Sequence, residues 1–392
     1  MAQQLAYVIV TPYTLAKSRT GGILARLISR TGLELVAARL FGPRQELVKE
    51  YSKVVISAAD PQDRGVQQLI HDYIVRELGP DPKSGRRRRC MMLLFKGEDA
   101  VRKIRAVVGN ISHTSRTGET IRDTFGDYVL DERGQVRYFE PAVLAAPNAE
   151  EANQKLKLWA RYSYADGGVL DDCVEHPTDV PVERTLVLIK PDNFRFPTGR
   201  PGNVIDFFSR TGLYIVGICV LHMSTAQAME FYGPVKDFLR TKLKGVIAAK
   251  AKAVLEKDPS IGFTIPPEAE AKLADILGPV FGDNQFDNIV RFMCGRSESE
   301  CPPDQLTEPG TEKCIALVYE GPNAVAKIRD VLGPTDPAKA PPGSIRREFG
   351  SNIMVNAAHA SDAPESARRE LGIVKVEAND FKRVVEQFCG SL

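Results

Sequence analysis

Ser29-Arg-Thr-Gly-Leu33 occurs a second time as Ser209-Arg-Thr-Gly-Leu213, and the preceding residues correspond too: Gly22-Ile-Leu-Ala-Arg-Leu-Ile28 resembles Gly202-Asn-Val-Ile-Asp-Phe-Phe208 at the same offset of 180. Further on, Phe95-Lys-Gly-Glu-Asp-Ala-Val-Arg-Lys-Ile-Arg105 matches Tyr319-Glu-Gly-Pro-Asn-Ala-Val-Ala-Lys-Ile-Arg329 at an offset of 224. Ile121-Arg122 with Phe125-Gly126 matches Ile345-Arg346 with Phe349-Gly350 at that same offset. Self-similarity of this kind marks a tandem duplication. The change of offset means that the second copy carries a net 44 further residues, placed between Leu213 and Tyr319 and most simply within 238–311. Two helix-like segments there, Arg240 to Lys257 and Pro267 to Leu277, flank a turn rich in Gly and Pro.

Each copy alternates the two periodicities. In the first, Leu5 to Val10 reads as a strand, Gly22 to Arg30 as a helix, Leu33 to Leu40 as a strand, Val66 to Leu78 as a helix, Cys90 to Phe95 as a strand and Ala100 to Val107 as a helix. The order βαββαβ is the split βαβ pattern, so the expected fold class is α/β: an α+β sandwich built as two ferredoxin-like domains in tandem. Tyr162 to Glu183 is polar and rich in turn residues, which suits a linker. The expected domains are residues 1–160, a linker at 161–183, and 184–392 with its helical insert.

Composition narrows the functional classes. The chain has 392 residues, 43% of them apolar, and Lys+Arg 52 against Asp+Glu 50 leave a net charge of +2, so no global field draws it to nucleic acid or a membrane. Arg86-Arg-Arg-Arg89 is the one sharp charge run. With no aromatics interleaved it lacks stacking surfaces for single strands, and it reads as a solvated loop. Seven cysteines form no disulfide framework, and Cys294, Cys301 and Cys314 are spaced too irregularly for a zinc site. No signal-like N-terminus and no apolar run of about 18 residues is present, which points to the cytoplasm.

The chemistry centres on Asn356-Ala-Ala-His359-Ala-Ser-Asp362. One histidine lies among small residues that leave room for a bulky ligand, and Asp362-Ala-Pro-Glu365 after it reads as a capping box opening a helix from Ala363 to Leu371. Such a helix start favours a phosphate beside the imidazole. Taken alone, the stretch reads more simply as a capped turn that contains a histidine.

Its company settles the direction. Val187-Leu-Ile-Lys190-Pro-Asp192, Ile328-Arg329 with Gly333-Pro-Thr335-Asp-Pro-Ala338, Pro342-Gly-Ser-Ile-Arg346, and the His359 stretch with Glu365-Ser-Ala and Glu370 resemble the nucleoside diphosphate kinase family, in register without a gap from Arg329 through Glu370. The resemblance implies a ping-pong enzyme that moves the γ-phosphoryl of a nucleoside triphosphate, as its Mg²⁺ complex, to His359 and then to a nucleoside diphosphate. It implies that Glu370 holds the His359 ring with Ser361 beside it, that Lys190 and Asn356 contact the sugar hydroxyl and phosphates, and that Tyr232 and Thr335 line the phosphate site with Arg329 and Arg346. The chemistry agrees, because phosphoryl transfer asks mainly for convergent cations and a nucleophile, and a neutral imidazole nitrogen can relay the group. No phosphate-binding glycine loop of the P-loop or protein-kinase kind is present. One departure stands out: the base-side segment is diluted to Gly282-Asp-Asn-Gln-Phe286-Asp, without its usual arginine, leaving Phe286 as the candidate base platform. The competing expectation is a catalytically weak nucleotide-binding or scaffold protein of the same fold.

The first copy lacks the chemistry. Alignment puts Leu144 at the position of His359, Pro141 at Asn356, Thr11 at Lys190 and Lys155 at Glu370, while Tyr51, Arg105 and Arg122 match Tyr232, Arg329 and Arg346. His113, in a Ser/Thr-rich loop, is no substitute at that spacing. Because the family assembles from single domains and Asp336-Pro-Ala-Lys-Ala-Pro-Pro-Gly343 resembles its assembly loop, the two halves are expected to pair within the chain, with a homo-oligomer possible beyond that.

Overall fold

Leu5-Ala-Tyr-Val-Ile-Val10 is an unbroken apolar run, and such a run suits a strand covered on both faces. In the computed structural model, which describes residues 3–112, 114, 117–378 and 380–392, it forms most of β1 (Gln3–Val10), and all six residues are buried. His113 lies outside the described residues. The chain divides into two compact units, Met1–Val220 with Ile315–Leu392, and Leu221–Cys314.

The first unit is built on two four-stranded sheets. After β1 come α1 (Pro12–Ala16), α2 (Thr20–Thr31), β2 (Glu34–Phe41), α3 (Gln45–Lys53), α4 (Arg64–Glu77), β3 (Cys90–Glu98), α5 (Ala100–Val108), α6 (Ile121–Phe125), a hairpin of β4 (Asp127–Leu130) and β5 (Val136–Glu140), β6 (Val143–Leu144) and α7 (Ala149–Tyr162). The strand order is β2-β3-β1-β6, with β1 antiparallel to both neighbours. The second sheet repeats it as β10-β7-β9-β8, from β7 (Val182–Ile189), β8 (Tyr214–Leu221), β9 (Cys314–Pro322) and β10 (Ala358–Ala360), with α8 (Arg200–Phe208) after β7. This is the ferredoxin-like order that the βαββαβ reading anticipates, twice over. Ile23, Leu24, Leu27 and Ile28 form the buried face of α2 at helical spacing, as Val204, Ile205 and Phe208 do on α8. The repeated Ser-Arg-Thr-Gly has a backbone reason: Gly32 and Gly212 turn the chain out of the helix at φ of 61° and 68°, left-handed values that glycine adopts without steric penalty.

The two sheets are joined within this unit through α2 and α8. At their contact a Cβ on Gly21 would lie 2.3 Å from the carbonyl oxygen of Gly202, so neither position has room for a side chain. The segment between α7 and β7 belongs to the same unit. Arg39, nearly fully buried, donates to the carbonyls of Ser163 and Gly167 and also to Ala378 near the C-terminus. The C-terminal helix α15 (Asp380–Cys389) sends Phe381 into the core of the first half, edge-on to Phe41 at 5.4 Å, while Phe41 meets Trp159 at 5.0 Å.

The second unit holds three α-helices: α9 (Thr225–Lys242), α10 (Lys244–Leu255) and α11 (Pro267–Cys294). Ser224 and Gln227 close a capping box at the start of α9. Arg240 meets Asp283 with two nitrogens at 2.7 and 2.9 Å, joining α9 to α11. The periodicity reading misplaces these boundaries. Arg240 belongs to α9, and α11, 28 residues long in all, continues past Leu277 and through Pro279 to Cys294.

Two other expectations change. The Arg86–Arg89 run is only partly solvated: Arg88 pairs with Glu77 and Asp81 on the surface, but Arg89 is 9% exposed, donates to the carbonyl of Ile215 and lies over the Tyr214 ring. Asp362 does not cap the helix after His359. Ala363 is the N-cap of α14 (Pro364–Val374) without a side-chain bond, and Asp362 accepts from Ser366 instead, which holds its carboxyl below the usual range. The residue count to the first helical turn is one too long for the box, because Pro364 starts the helix at its own position.

Candidate active site

His359 is the middle residue of β10 and pairs with Leu188 of β7, which places its side chain at the carboxyl end of that strand. Its Nε2 lies 2.9 Å from Glu370 Oε2 on α14, and Ser361 Oγ donates to the same oxygen at 2.7 Å. Glu370 is 4% exposed and Ser361 fully buried, whereas the His359 ring keeps a partly open side. A buried carboxylate that accepts from both neighbours fixes the ring and sets its tautomer, with the proton on Nε2 and the lone pair on Nδ1. Glu370 lies two turns into α14 because the helix begins at Pro364.

Lys190 follows β7 directly. Its Nζ donates to Asn356 Oδ1 at 2.8 Å and to the carbonyl of Met354, and only 7% of the residue is exposed. Asn356 spends its amide on the carbonyls of Thr335, 3.1 Å, and Ile353, 2.8 Å. Arg346, from α13 (Ile345–Phe349), is buried and reaches the carbonyls of Gly333, 3.0 Å, and Ala358, 3.3 Å. It therefore braces β10 as well as bringing a positive charge to it. Arg329 sits in the last turn of α12 (Ala324–Leu332), half-buried, near enough to Asp362 to help lower that carboxyl. Thr335 is exposed.

Lys190, Arg329, Thr335, Arg346, Asn356, His359, Ser361 and Glu370 all lie in the first unit. Tyr232 and Phe286 lie in the second. Tyr232 is half-buried on α9, its ring 5.0 Å from that of Phe231. Phe286, the candidate base platform, is a correction: it is inside α11, is 2% exposed, and has Lys236 Nζ 5.1 Å above its ring. A ring enclosed in this way presents no face for a base to stack on. Among the described residues no group of three or more His, Cys, Asp and Glu could hold a metal ion, and no helix is long and apolar enough to cross a membrane.

What motif reading missed is the support under Ala357. This residue has φ of 70°, uncommon for any side chain but glycine. Asp192 Oδ2 accepts its N–H at 3.2 Å, while its carbonyl accepts from the Lys190 N–H at 2.9 Å and from Asn193 Nδ2 at 2.7 Å. The Pro-Asp after Lys190 was visible as a motif, but nothing in a linear sequence says that its carboxylate reaches 165 positions onward.

The first sheet supplies an internal comparison. Leu144 pairs with Ile9 as His359 pairs with Leu188, the Thr11 N–H reaches the Ala142 carbonyl as that of Lys190 reaches Ala357, and Ala142 has the matching φ of 60°. Arg122 reaches the carbonyls of Gly109 and Val143 as Arg346 reaches those of Gly333 and Ala358. Burial lowers the Arg122 guanidinium to about 10. At the strand end, where the second sheet has a lysine, Glu140 is buried, accepting from Thr11 Oγ1 and Tyr73 OH, each at 2.8 Å, and burial raises its carboxyl. Lys155, at the Glu370 position, is buried on Glu151 at 2.6 Å. Tyr51 packs on Trp159 in the core.

The family model for nucleoside diphosphate kinase matches residues 304–378. A nucleoside diphosphate kinase of Cereibacter sphaeroides is 30% identical over 190 residues, covering 48% of this chain and 91% of the relative, and one of Staphylothermus marinus is 29% identical over 192 residues, covering 49% and 92%. A crystal structure of an NDP kinase from Pyrobaculum aerophilum is 27% identical and covers 49% of this chain and 95% of that one, at a TM-score of 0.32. With a relative 30% identical matched over nine-tenths of its length, the chain belongs to the nucleoside diphosphate kinase family.

Proposed function

We propose that the second half of this chain transfers the γ-phosphoryl group of a nucleoside triphosphate to a nucleoside diphosphate through a phosphohistidine at His359. The observation that carries this reading is the shared carboxylate oxygen of Glu370, 2.9 Å from His359 Nε2 and 2.7 Å from Ser361 Oγ. With the Nε2 proton directed at that oxygen, Nδ1 is the nucleophile. A bond forms from Nδ1 to the γ-phosphorus as the bond from phosphorus to the β,γ-bridging oxygen breaks, and the diphosphate leaves. A second diphosphate then attacks the phosphorus with a terminal oxygen, and the phosphorus–nitrogen bond breaks. Glu370 stabilises the positive charge that the ring develops. Lys190, held against Asn356, and Arg329 are the cations for the phosphate chain, and Arg346 adds its field from beneath β10. The substrate is the Mg²⁺ complex of the nucleotide; around His359 the chain offers cations to the phosphates, so the metal arrives with them.

The first half serves as structure. A leucine stands in the nucleophile's register, and a buried carboxylate occupies the corner where the second half has its lysine, a charge reversal that disfavours phosphate. Through α2 against α8 it supplies a surface that a second subunit would otherwise provide. The test is exposure of the full chain to ATP, followed by search for acid-labile phosphate on His359. Its absence in a folded protein that binds nucleotide refutes the proposal, as does turnover with two nucleoside diphosphates no faster than that of His359→Ala; either result leaves a scaffold.

A further inference from the structure

We infer that Arg200 is the positioning residue of this site, acting on His359 and Lys190 through Asp192, Asn193 and the left-handed backbone of Ala357. The inference rests on the phosphotransfer reading for its kinetic consequences but on geometry for its substance. Arg200 begins α8, and its guanidinium spans three partners: Nη2 meets Asp192 Oδ2 at 2.9 Å and the carbonyl of Phe349, and Nε meets Asn193 Oδ1 at 2.9 Å. Both of these side chains grip the same peptide neighbours. Asp192 takes the Ala357 N–H on the very oxygen that Arg200 holds, and Asn193 donates to the carbonyls of Ala357 and Lys190, at 2.7 and 2.9 Å.

Ala357 needs this grip. An alanine at φ of 70° is held only where its surroundings over-determine it. The residue decides geometry on both sides: Asn356, which binds Lys190, precedes it, and His359 stands two residues later on β10. If Ala357 relaxed toward negative φ, the two side chains would no longer face the same pocket. The guanidinium is suited to the task because its planar fork binds a carboxylate and an amide oxygen together while carrying the charge opposite to that of the carboxylate.

The first half shows the same backbone problem solved differently. Ala142 has φ of 60°, but Tyr13 and Thr14 stand where Asp192 and Asn193 would, and Arg19, although it donates to the Phe125 carbonyl at 2.7 Å as Arg200 does to that of Phe349, has no carboxylate there to hold. The Ala142 N–H is taken instead by Glu140 at 3.0 Å. In the half without the histidine, the acceptor comes from the strand itself and brings a negative charge into the pocket. In the half with it, the acceptor is Asp192, whose charge Arg200 answers.

The experiment is a rescue. Arg200→Gln in the full chain is expected to slow phosphohistidine formation about 30-fold, and adding Ala357→Gly, which makes the left-handed conformation available without a clamp, is expected to recover at least about fivefold of that loss. Ala357→Gly alone changes the rate by less than about twofold. A merely structural arginine would not be rescued at that position, so a double variant no faster than Arg200→Gln overturns the inference, as does Arg200→Gln at the native rate. Should the native chain form no phosphohistidine, the functional reading fails and the clamp is judged by ¹⁵N NMR of the His359 ring. A resonance displaced in Arg200→Gln and restored in the double variant upholds it, and an unmoved one overturns it.

Discussion

Glu370 is the residue whose replacement tests the catalytic cluster most sharply. In Glu370→Gln the shape is kept and both donors still find an oxygen, but two hydrogen bonds to a carboxylate become bonds to an amide. Bonds to a charged group contribute roughly 1.5–3 kcal/mol against about 0.5–1.5 for neutral ones, so each loses about 1–1.5 kcal/mol. Only the His359 bond strengthens as the ring becomes positive; the Ser361 share falls on stability. The expected loss in the rate of phosphohistidine formation is therefore about tenfold. Glu370→Ala removes the acceptor altogether and leaves Ser361 Oγ–H and the ring N–H facing a buried gap, which raises the loss to about 2–4 kcal/mol, roughly 30- to 1000-fold. Quenched-flow measurement of the first half-reaction with labelled ATP reads both, and Ser361→Ala closes a double-mutant cycle whose coupling should exceed about 0.5 kcal/mol because the two donors share one oxygen. If both Glu370 variants phosphorylate His359 within twofold of the native rate, the carboxylate does not orient the nucleophile and the reasoning fails.

Phe381→Ala removes a ring buried against Phe41 and should destabilise the chain by about 3–5 kcal/mol in urea titration, with the first half unfolding earlier than the second; an unchanged midpoint would show that α15 does not complete that core. Asp206 on α8 has its carboxyl raised to about 6 by burial, partly offset by the N–H groups of Gly21 and Gly22. A raised carboxyl favours the folded state when protonated, so stability should fall as pH rises from about 4 to 6, by about 1–2 kcal/mol after solvent screening. Asp206→Asn should flatten that slope in thermal unfolding, and a slope of opposite sign in the native chain would contradict it. Leu144→His combined with His359→Ala should yield no phosphohistidine, since Glu140 and Lys155 remain where a lysine and an acceptor are needed; label on residue 144 would show the first half to be a competent site.

Much of the molecule is legible in the linear sequence. The repeated Ser-Arg-Thr-Gly, the apolar strands and the helical stripes report local periodicity and the one backbone angle that glycine alone adopts easily, and these are properties of neighbours in the chain. The register from Arg329 to Glu370 was readable through the resemblance to the nucleoside diphosphate kinase family, whose motif residues fall there without a gap. What only the tertiary structure decided depends on partners distant along the chain. Phe286 reads as a base platform, and the second helix of the insert reads as ending at Leu277, yet packing of α9 on α11 carries the helix through Pro279 and buries the ring, since burial outweighs the propensities of a few residues. Arg89 looks solvated in a run of four arginines until Tyr214 and the Ile215 carbonyl enclose it. The clamp on Ala357 joins residues 165 positions apart, and α15 carries Phe381 back into a core begun at Phe41; neither is a pattern of spacing, because each exists only once the chain has closed on itself.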